Sequence, residues 1–196
     1  MKQLLLGTGN TGKIDELRRL LRSLERLELL THDDRPFTEV EETGATFLDN
    51  ALLKARGVSA ETGLPVLAED AGLEVIALDG APGVRSARFA GVPADHAANN
   101  ELLLARLAGV DDRRARFITV AALLLPDGHA FVTTGVLAGT IGRAPVGERG
   151  FGYDPLFLPD GSERTLAELS LDEKNRISHR MRAMERMLPI LREFVD

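Results

Sequence analysis

Cysteine is absent from the 196 residues, which excludes a disulfide scaffold, a thiol nucleophile and a thiolate zinc site while leaving the redox compartment open. Long apolar runs are missing too. Nothing approaches the ~18 consecutive apolar residues of a membrane span, and the opening stretch Met1 to Gly7, with its single Lys2, is too brief for a secretory leader. A cytoplasmic protein is the expectation. There is no basic surplus either: the formal net charge is -6, which argues against broad binding to nucleic acid or to a membrane surface, where a basic footprint carries most of the affinity. A small anion held by a local cluster of donors remains compatible with that charge. A chain of this length buries about two-thirds of its unfolded surface without metal or disulfide staples, and no linker, repeat or low-complexity tract interrupts residues 1-196, so a single domain is expected.

Lysine is scarce. Only Lys2, Lys13, Lys54 and Lys174 stand among 24 basic residues, so the other 20 are arginine. A chain that uses arginine for generic positive charge gives its few internal lysines a reason to be examined, since an ammonium is a compact charge suited to a phosphate oxygen in a narrow site.

Residues 2 to 7 read as a buried strand, and Ile14, Leu17, Leu20, Leu21 and Leu24 repeat at helical spacing to about residue 25. Leu27 to Thr31 is a second strand, and a helix is expected from about Ala45 to Glu61, with Phe47, Ala51, Ala55 and Val58 inward. Pro65 to Ala68 reads as a short strand that stops before E-D-A-G-L. The G-A-P-G segment at 80 to 83 breaks the pattern, and Asp95 caps a helix reaching about Ala108. Arg116 to Leu125 and Ala130 to Ile141 flank the turn signature P-D-G-H and should pair as an antiparallel hairpin, which makes the sheet mixed. A loop through G-E-R-G-F-G-Y-D-P leads to a C-terminal helix that turns Ile177, Met181, Met184, Leu188, Leu191 and Val195 inward.

The run G-T-G-N-T-G-K at 7 to 13, between a strand and a helix, fits three phosphate-binding patterns. Gly7, Gly9 and Gly12 satisfy G-x-G-x-x-G, with Asp33 21 residues beyond, as in a dinucleotide site. The same residues satisfy G-x-x-x-x-G-K, yet Ile14 stands where a P-loop needs a hydroxyl for magnesium. The third pattern is a triphosphate cradle of helix-start amides, the Thr8 hydroxyl, the Asn10 amide and Lys13. A bare strand-to-helix turn without ligand is the remaining alternative. The central hairpin and the few helices after residue 62 speak against the dinucleotide fold.

Two acidic groups stand out, Glu41 with Glu42 before T-G-A-T-F, and Glu69 with Asp70 at the end of V-L-A. Oxygen ligands from two loops suit a hard cation such as magnesium. Acids ending a buried strand require a partner or a metal, and Lys54 is a candidate counter-charge. Farther on, Phe151 is a candidate platform for a base, while Lys174, His179 and Arg180 offer donors to a keto oxygen or a phosphate; a core aromatic and a helix cap are the plain alternatives.

Taken together, T-G-N-x-G-K, E-E-T-G-x-T-F, N-A-x-x-K-A-R, D-A-G-L, G-A-P-G-V-x-S-A-R-F, G-F-G-Y-D-P and E-K-x-x-I-S-H-R, in that order from residue 1 to about 182, closely resemble the inosine triphosphate pyrophosphatase family. The resemblance implies an α/β fold with an elongated central mixed sheet, flanking helices and two lobes around a substrate cleft, a homodimer, and Mg2+-dependent cleavage of ITP, dITP and XTP to the monophosphate and pyrophosphate, which removes deaminated purines from the nucleotide pool. Carried over by position, Thr8, Gly9, Asn10, Thr11, Gly12 and Lys13 would bind the triphosphate. Glu41 and Asp70 would ligand the metal, with Asp70 also the general base and Lys54 a catalytic lysine. Phe151, Gly152, Tyr153, Asp154, Lys174, His179 and Arg180 would read and clamp the base, and Ala71 would also lie at the substrate. Two positions depart from the family's usual D-D-S-G-L: Glu69 replaces an aspartate and Ala71 removes a hydroxyl. A pyrophosphatase of different base preference and a non-catalytic nucleotide-binding regulator are the rival expectations.

Overall fold

The computed structural model describes residues 1-196. Its backbone forms a six-stranded mixed sheet in the order β2-β1-β3-β4-β5-β6, and the chain divides into two compact units that interleave in sequence. The first comprises 1-70, 119-135 and 180-196, the second 71-118 and 136-179.

In the first unit, β1 (Lys2–Leu6) leads through the glycine turn to α1 (Thr11–Leu21) and back to β2 (Leu27–Leu30), which lies parallel to β1 with Lys2 opposite Leu27. α2 (Phe47–Thr62) starts at a capping box, Thr46 accepting from the Asp49 amide while Asp49 accepts from Thr46, and ends on Gly63 at φ 71, a left-handed cap that glycine adopts without a Cβ penalty. Both faces of β1 are buried, as its run of three leucines requires. Leu4, Leu6, Leu17, Leu21, Leu67, Leu123, Met184, Met187 and Leu191 form one core. α1 ends at Leu21, short of the expected boundary, although Leu24 still packs into that core.

Three strands carry the chain from unit to unit: β3 (Val66–Val75), β4 (Arg114–Leu124) and β5 (Ala130–Ile141). β3 runs parallel to β1, with Leu5 opposite Val66. The expected hairpin is present: Leu125 N–H donates to His129 O beside the turn and Ile141 N–H donates to Arg113 O at the other end, a register that requires β4 and β5 to be antiparallel. β3 does not stop at Ala68 but continues through E-D-A-G-L to Val75. The acids at 69 and 70 are tolerated inside a buried strand because basic and amide side chains far away in sequence meet them.

The second unit adds α3 (His96–Arg106), capped by Asp95 through the Ala97 and Ala98 amides, then β6 (Phe157–Pro159), antiparallel to β5, and α4 (Leu171–Ile177). Its core gathers Leu73, Val75, Leu103, Phe117, Leu137, Tyr153, Phe157 and Leu166. A short helix precedes the expected C-terminal one and takes Ile177 from it. A capping box at Ser170 and Glu173 starts α4, the backbone turns extended at Ser178 (ψ 155), and α5 (His179–Val195) begins anew. Ile177 accordingly packs on the second core while Met184 and Leu191 belong to the first.

Candidate active site

In the first unit the glycine turn is set by close approach and by its own hydrogen bonds. A Cβ on Gly7 would lie 3.0 Å from both Ala68 Cβ and Val66 Cγ1, so this residue keeps β1 close to β3, whereas a Cβ on Gly9 would meet nothing within 4 Å. Asn10 caps α1, its Oδ1 accepting from the Lys13 amide at 3.0 Å, and Thr8 Oγ1 accepts from the Asn10 amide at 3.1 Å. Asn10 therefore shapes the helix start, and the helix amides and dipole supply the anion-attracting end. Lys13 sits in the first turn with its side chain only 16% exposed, its Nζ 3.6 Å from Glu69 Oε1. Burial pushes its ammonium below the usual lysine range, and Glu69 opposes that shift.

Lys54, on α2, joins the two acidic segments. Its Nζ donates to Glu42 Oε1 and, at 3.3 Å, to Asp70 Oδ1. Asn50, one helical turn earlier on the same face, is wholly buried; its Nδ2 donates to Asp70 Oδ2 at 3.1 Å and its Oδ1 accepts from the Gly44 amide at 2.7 Å. One amide thus ties the E-E-T-G loop to the carboxylate on β3. Burial raises the Asp70 carboxyl above the usual range; Lys54 opposes this, and Glu42 reinforces it.

Gly44 makes the tie possible, since a Cβ there would lie 2.6 Å from Asn50 Oδ1 and 2.9 Å from its backbone nitrogen. Gly44→Ala is expected to cost about 1–3 kcal/mol, read as a lowered denaturant midpoint. An unchanged midpoint would mean that the loop does not rest on Asn50.

Glu69, next in the strand, receives Arg180 from the head of α5. Arg180 Nε donates to both carboxylate oxygens at 2.9 and 2.8 Å, Nη2 to Oε1 at 2.6 Å, and Nη1 to Glu16 Oε2 on α1. All three residues are buried. Burial alone would lower the guanidinium pKa, but Glu69 and Glu16 outweigh it and hold Arg180 above its ordinary value.

In the second unit the F-G-Y-D loop is folded around Asp154. Asp154 Oδ2 accepts from the Phe151 amide at 2.9 Å and from Lys174 Nζ at 2.5 Å, and the same ammonium lies 4.8 Å from the Phe151 ring centroid, within cation–π range. Gly150 (φ 76) and Gly152 (φ 64) take left-handed turns on either side of Phe151, and a Cβ on Gly150 would fall 2.0 Å from Asp154 Oδ2. Asn100 Nδ2 donates to Gly152 O at 3.1 Å. Tyr153 is buried, its hydroxyl donating to Ser86 O at 2.8 Å, and burial pushes its phenol pKa up. Ser86 in turn accepts from the Leu73 amide and donates to Gly83 O, so the S-A-R segment and this loop brace each other. His179 stacks on Phe117 with centroids 4.7 Å apart at 12°.

Of the residues singled out in the sequence, Lys13, Lys54 and Asp70 come together in the first unit, and Phe151, Asp154 and Lys174 in the second. Ala71 follows Asp70 on β3, half-buried. Glu41 is exposed; its neighbour Glu42 is the acid that shares Lys54 with Asp70. Sequence reasoning missed Asn50, Glu16, Phe117 and Ser86. Only Asn50 carried a local signal, its i, i+4 spacing from Lys54 in N-A-x-x-K.

Buried cations and carboxylates set at a glycine turn that opens a helix define an α/β protein built to handle phosphorylated ligands. The Ham1 family model matches residues 4–190, and the chain belongs to that family. It is 49% identical over 201 residues, covering 100% of this chain and 98% of its relative, to a dITP/XTP pyrophosphatase of Nocardia farcinica. Among solved structures, a HAM1 protein from Coxiella burnetii superposes with a TM-score of 0.89 at 42% identity, covering 98% of this chain and 100% of that one. A nucleoside-triphosphatase / dITP/XTP pyrophosphatase from Mycobacterium abscessus does so at 0.77 and 47% identity, covering 97% and 100%.

Proposed function

We propose that this protein hydrolyses non-canonical purine nucleoside triphosphates, ITP, dITP and XTP, to the nucleoside monophosphate and pyrophosphate, clearing deaminated purines from the nucleotide pool. The observation that carries the reading is the Lys54 ammonium shared by Glu42 and Asp70, in the same unit as the half-buried Lys13 of the glycine turn; full-length relatives bearing the name dITP/XTP pyrophosphatase support it.

On this reading the amides of Thr11 and Gly12 and the Lys13 ammonium take the phosphate oxygens, with Thr8 and Asn10 shaping the turn. Glu42 Oε1 and Asp70 Oδ1 converge on one ammonium, and two carboxylates completed by substrate phosphates are a donor set that Mg2+ accepts. Asp70 and Glu42, in place of the exposed Glu41, would hold it. Bound there, the ion supplies charge neutralisation and polarisation of the phosphoryl group. Asp70, its basicity raised by burial and its two oxygens oriented by Lys54 and Asn50, takes the proton from water. The water oxygen bonds to the α-phosphorus, the bond from that phosphorus to the bridging oxygen breaks, and pyrophosphate leaves with the bridging oxygen. In the second unit, Phe151 offers its ring to the base. Lys174, held by Asp154, and His179, stacked on Phe117, offer donors to a 6-keto oxygen, which a 6-amino group would oppose donor to donor. Gly152, Tyr153 and Asp154 act by shaping that loop. The reading includes a homodimer in the cytoplasm; no helix is long and apolar enough to cross a membrane.

Incubation with Mg2+ and ITP, XTP, ATP, GTP or dUTP, with products identified by phosphorus NMR, tests this directly. Pyrophosphate from ITP and XTP, lost on chelation of the metal, is the expected result. Orthophosphate would make the protein a phosphohydrolase, and binding without turnover would make it a regulator. Sedimentation velocity reads the dimer.

A further inference from the structure

Glu69 meets two cations at once. Its carboxylate is clasped by the Arg180 fork through both oxygens, and Oε1 also lies 3.6 Å from the Lys13 ammonium. Arg180 is held from the other side by Glu16, which lies on α1 one turn beyond Lys13. Four side chains, two of each sign, thus form a buried neutral cluster that links the start of α1, the middle of β3 and the head of α5. The parts differ in stiffness. A guanidinium clasped by two carboxylates is a planar, rigid element, whereas lysine is a flexible stem ending in a point charge. The rigid part of the cluster therefore fixes where the flexible ammonium stays.

We propose that Glu69 is a positioning residue for phosphate binding: it holds the Lys13 ammonium in place at the glycine turn, and Arg180 with Glu16 holds Glu69. The proposal rests on the reading that Lys13 binds the triphosphate. It gives Arg180 a task beside the base contact that the family resemblance implies: through Glu69, its fork braces the residue that receives phosphate. It also gives a task to the glutamate that departs from the family's usual aspartate. Retention of the charge at position 69 is then what matters to phosphate affinity.

The test uses the full chain and inorganic pyrophosphate as the probe, with its competitive inhibition constant measured alongside KM and kcat for XTP and dITP. Glu69→Gln is expected to raise the pyrophosphate inhibition constant and both KM values together by about tenfold, and Glu69→Asp to stay within about threefold of the parent. In a Lys13→Ala background the same Glu69→Gln change is expected to do almost nothing further, because the pair acts as one unit. An unchanged inhibition constant in Glu69→Gln, or an undiminished effect in the Lys13→Ala background, overturns the proposal. A loss that differs between XTP and dITP overturns it too, since it would place Glu69 in base reading. If Glu69→Gln does not fold, Glu16→Gln decides: the expected result is a weaker rise of about threefold, again absent without Lys13, and no rise refutes the proposal. Failure of the wild type to cleave XTP and dITP would sink the functional reading instead, and the pyrophosphate measurements would still report on the cluster.

Discussion

Asp70→Asn is expected to lower kcat for XTP and dITP by about 10³-fold or more, with the fold retained. A general base contributes about 10²–10⁴, and this side chain is asked in addition to hold a metal. Asparagine keeps the shape and can still accept from Lys54 and Asn50, but it neither takes a proton nor offers an anion to a hard cation. The stability change should be small, about 1–2 kcal/mol, because Lys54 retains Glu42 as a counter-charge and because burial already disfavours the Asp70 anion. Single-turnover kinetics, with circular dichroism as the control for folding, make the check. A kcat within about tenfold of the parent would remove Asp70 from the proton transfer.

The second large effect concerns stability. Arg180→Met should cost about 3–5 kcal/mol, because it leaves Glu16 and Glu69 buried with one of their two cations gone. The deficit should depend on pH with a definite sign. Buried carboxylates that have lost their partner bind protons more tightly in the folded than in the unfolded chain. Their penalty is therefore absent below the unfolded carboxylate pKa of about 4.3 and grows as pH rises through and beyond it. Denaturant melts at pH 4 and pH 7 should show the gap widening at the higher value. Adding Glu16→Gln and Glu69→Gln to the same chain should recover part of the loss, since the uncompensated buried carboxylates are then gone, although Lys13 loses Glu69 as a counter-charge. A single variant as stable as the parent at pH 7 would mean that the cluster carries no weight in folding.

These two residues also mark where sequence reading reached its limit. The glycine turn, the first strands, α2 and the central hairpin were legible because each rests on neighbours a few residues away: a cap at Asn10, a capping box at Thr46, a turn at P-D-G-H. The extension of β3 was not. Glu69 and Asp70 look like the end of a buried strand until Arg180, 111 residues later, and Lys54 are placed against them. The short helix α4, which ends at Ile177 just before the last helix, was hidden for a related reason. No glycine or proline marks Ser178, and the turn there follows from His179 stacking on Phe117 while the next residue, Arg180, reaches Glu69. Between two adjacent glutamates, sequence offered nothing to say which one meets Lys54. In the structure it is Glu42, on a loop that the Gly44 amide ties to Asn50. The scarcity of lysine was the most informative signal in the composition, since Lys13, Lys54 and Lys174 all lie in charged clusters under or beside carboxylates.

The interleaving of the two compact units bears on how such a protein changes over generations. The chain passes from one unit to the other between residues 70 and 71, 118 and 119, 135 and 136, and 179 and 180. No uninterrupted stretch of gene encodes either unit, and two of the junctions fall between adjacent residues singled out in the sequence, Asp70 and Ala71, and His179 and Arg180. Recombination at a single crossover therefore cannot exchange one unit without dividing the other. Either unit has to change by point substitution along a chain that it shares with the other, and the two are inherited together, as one locus.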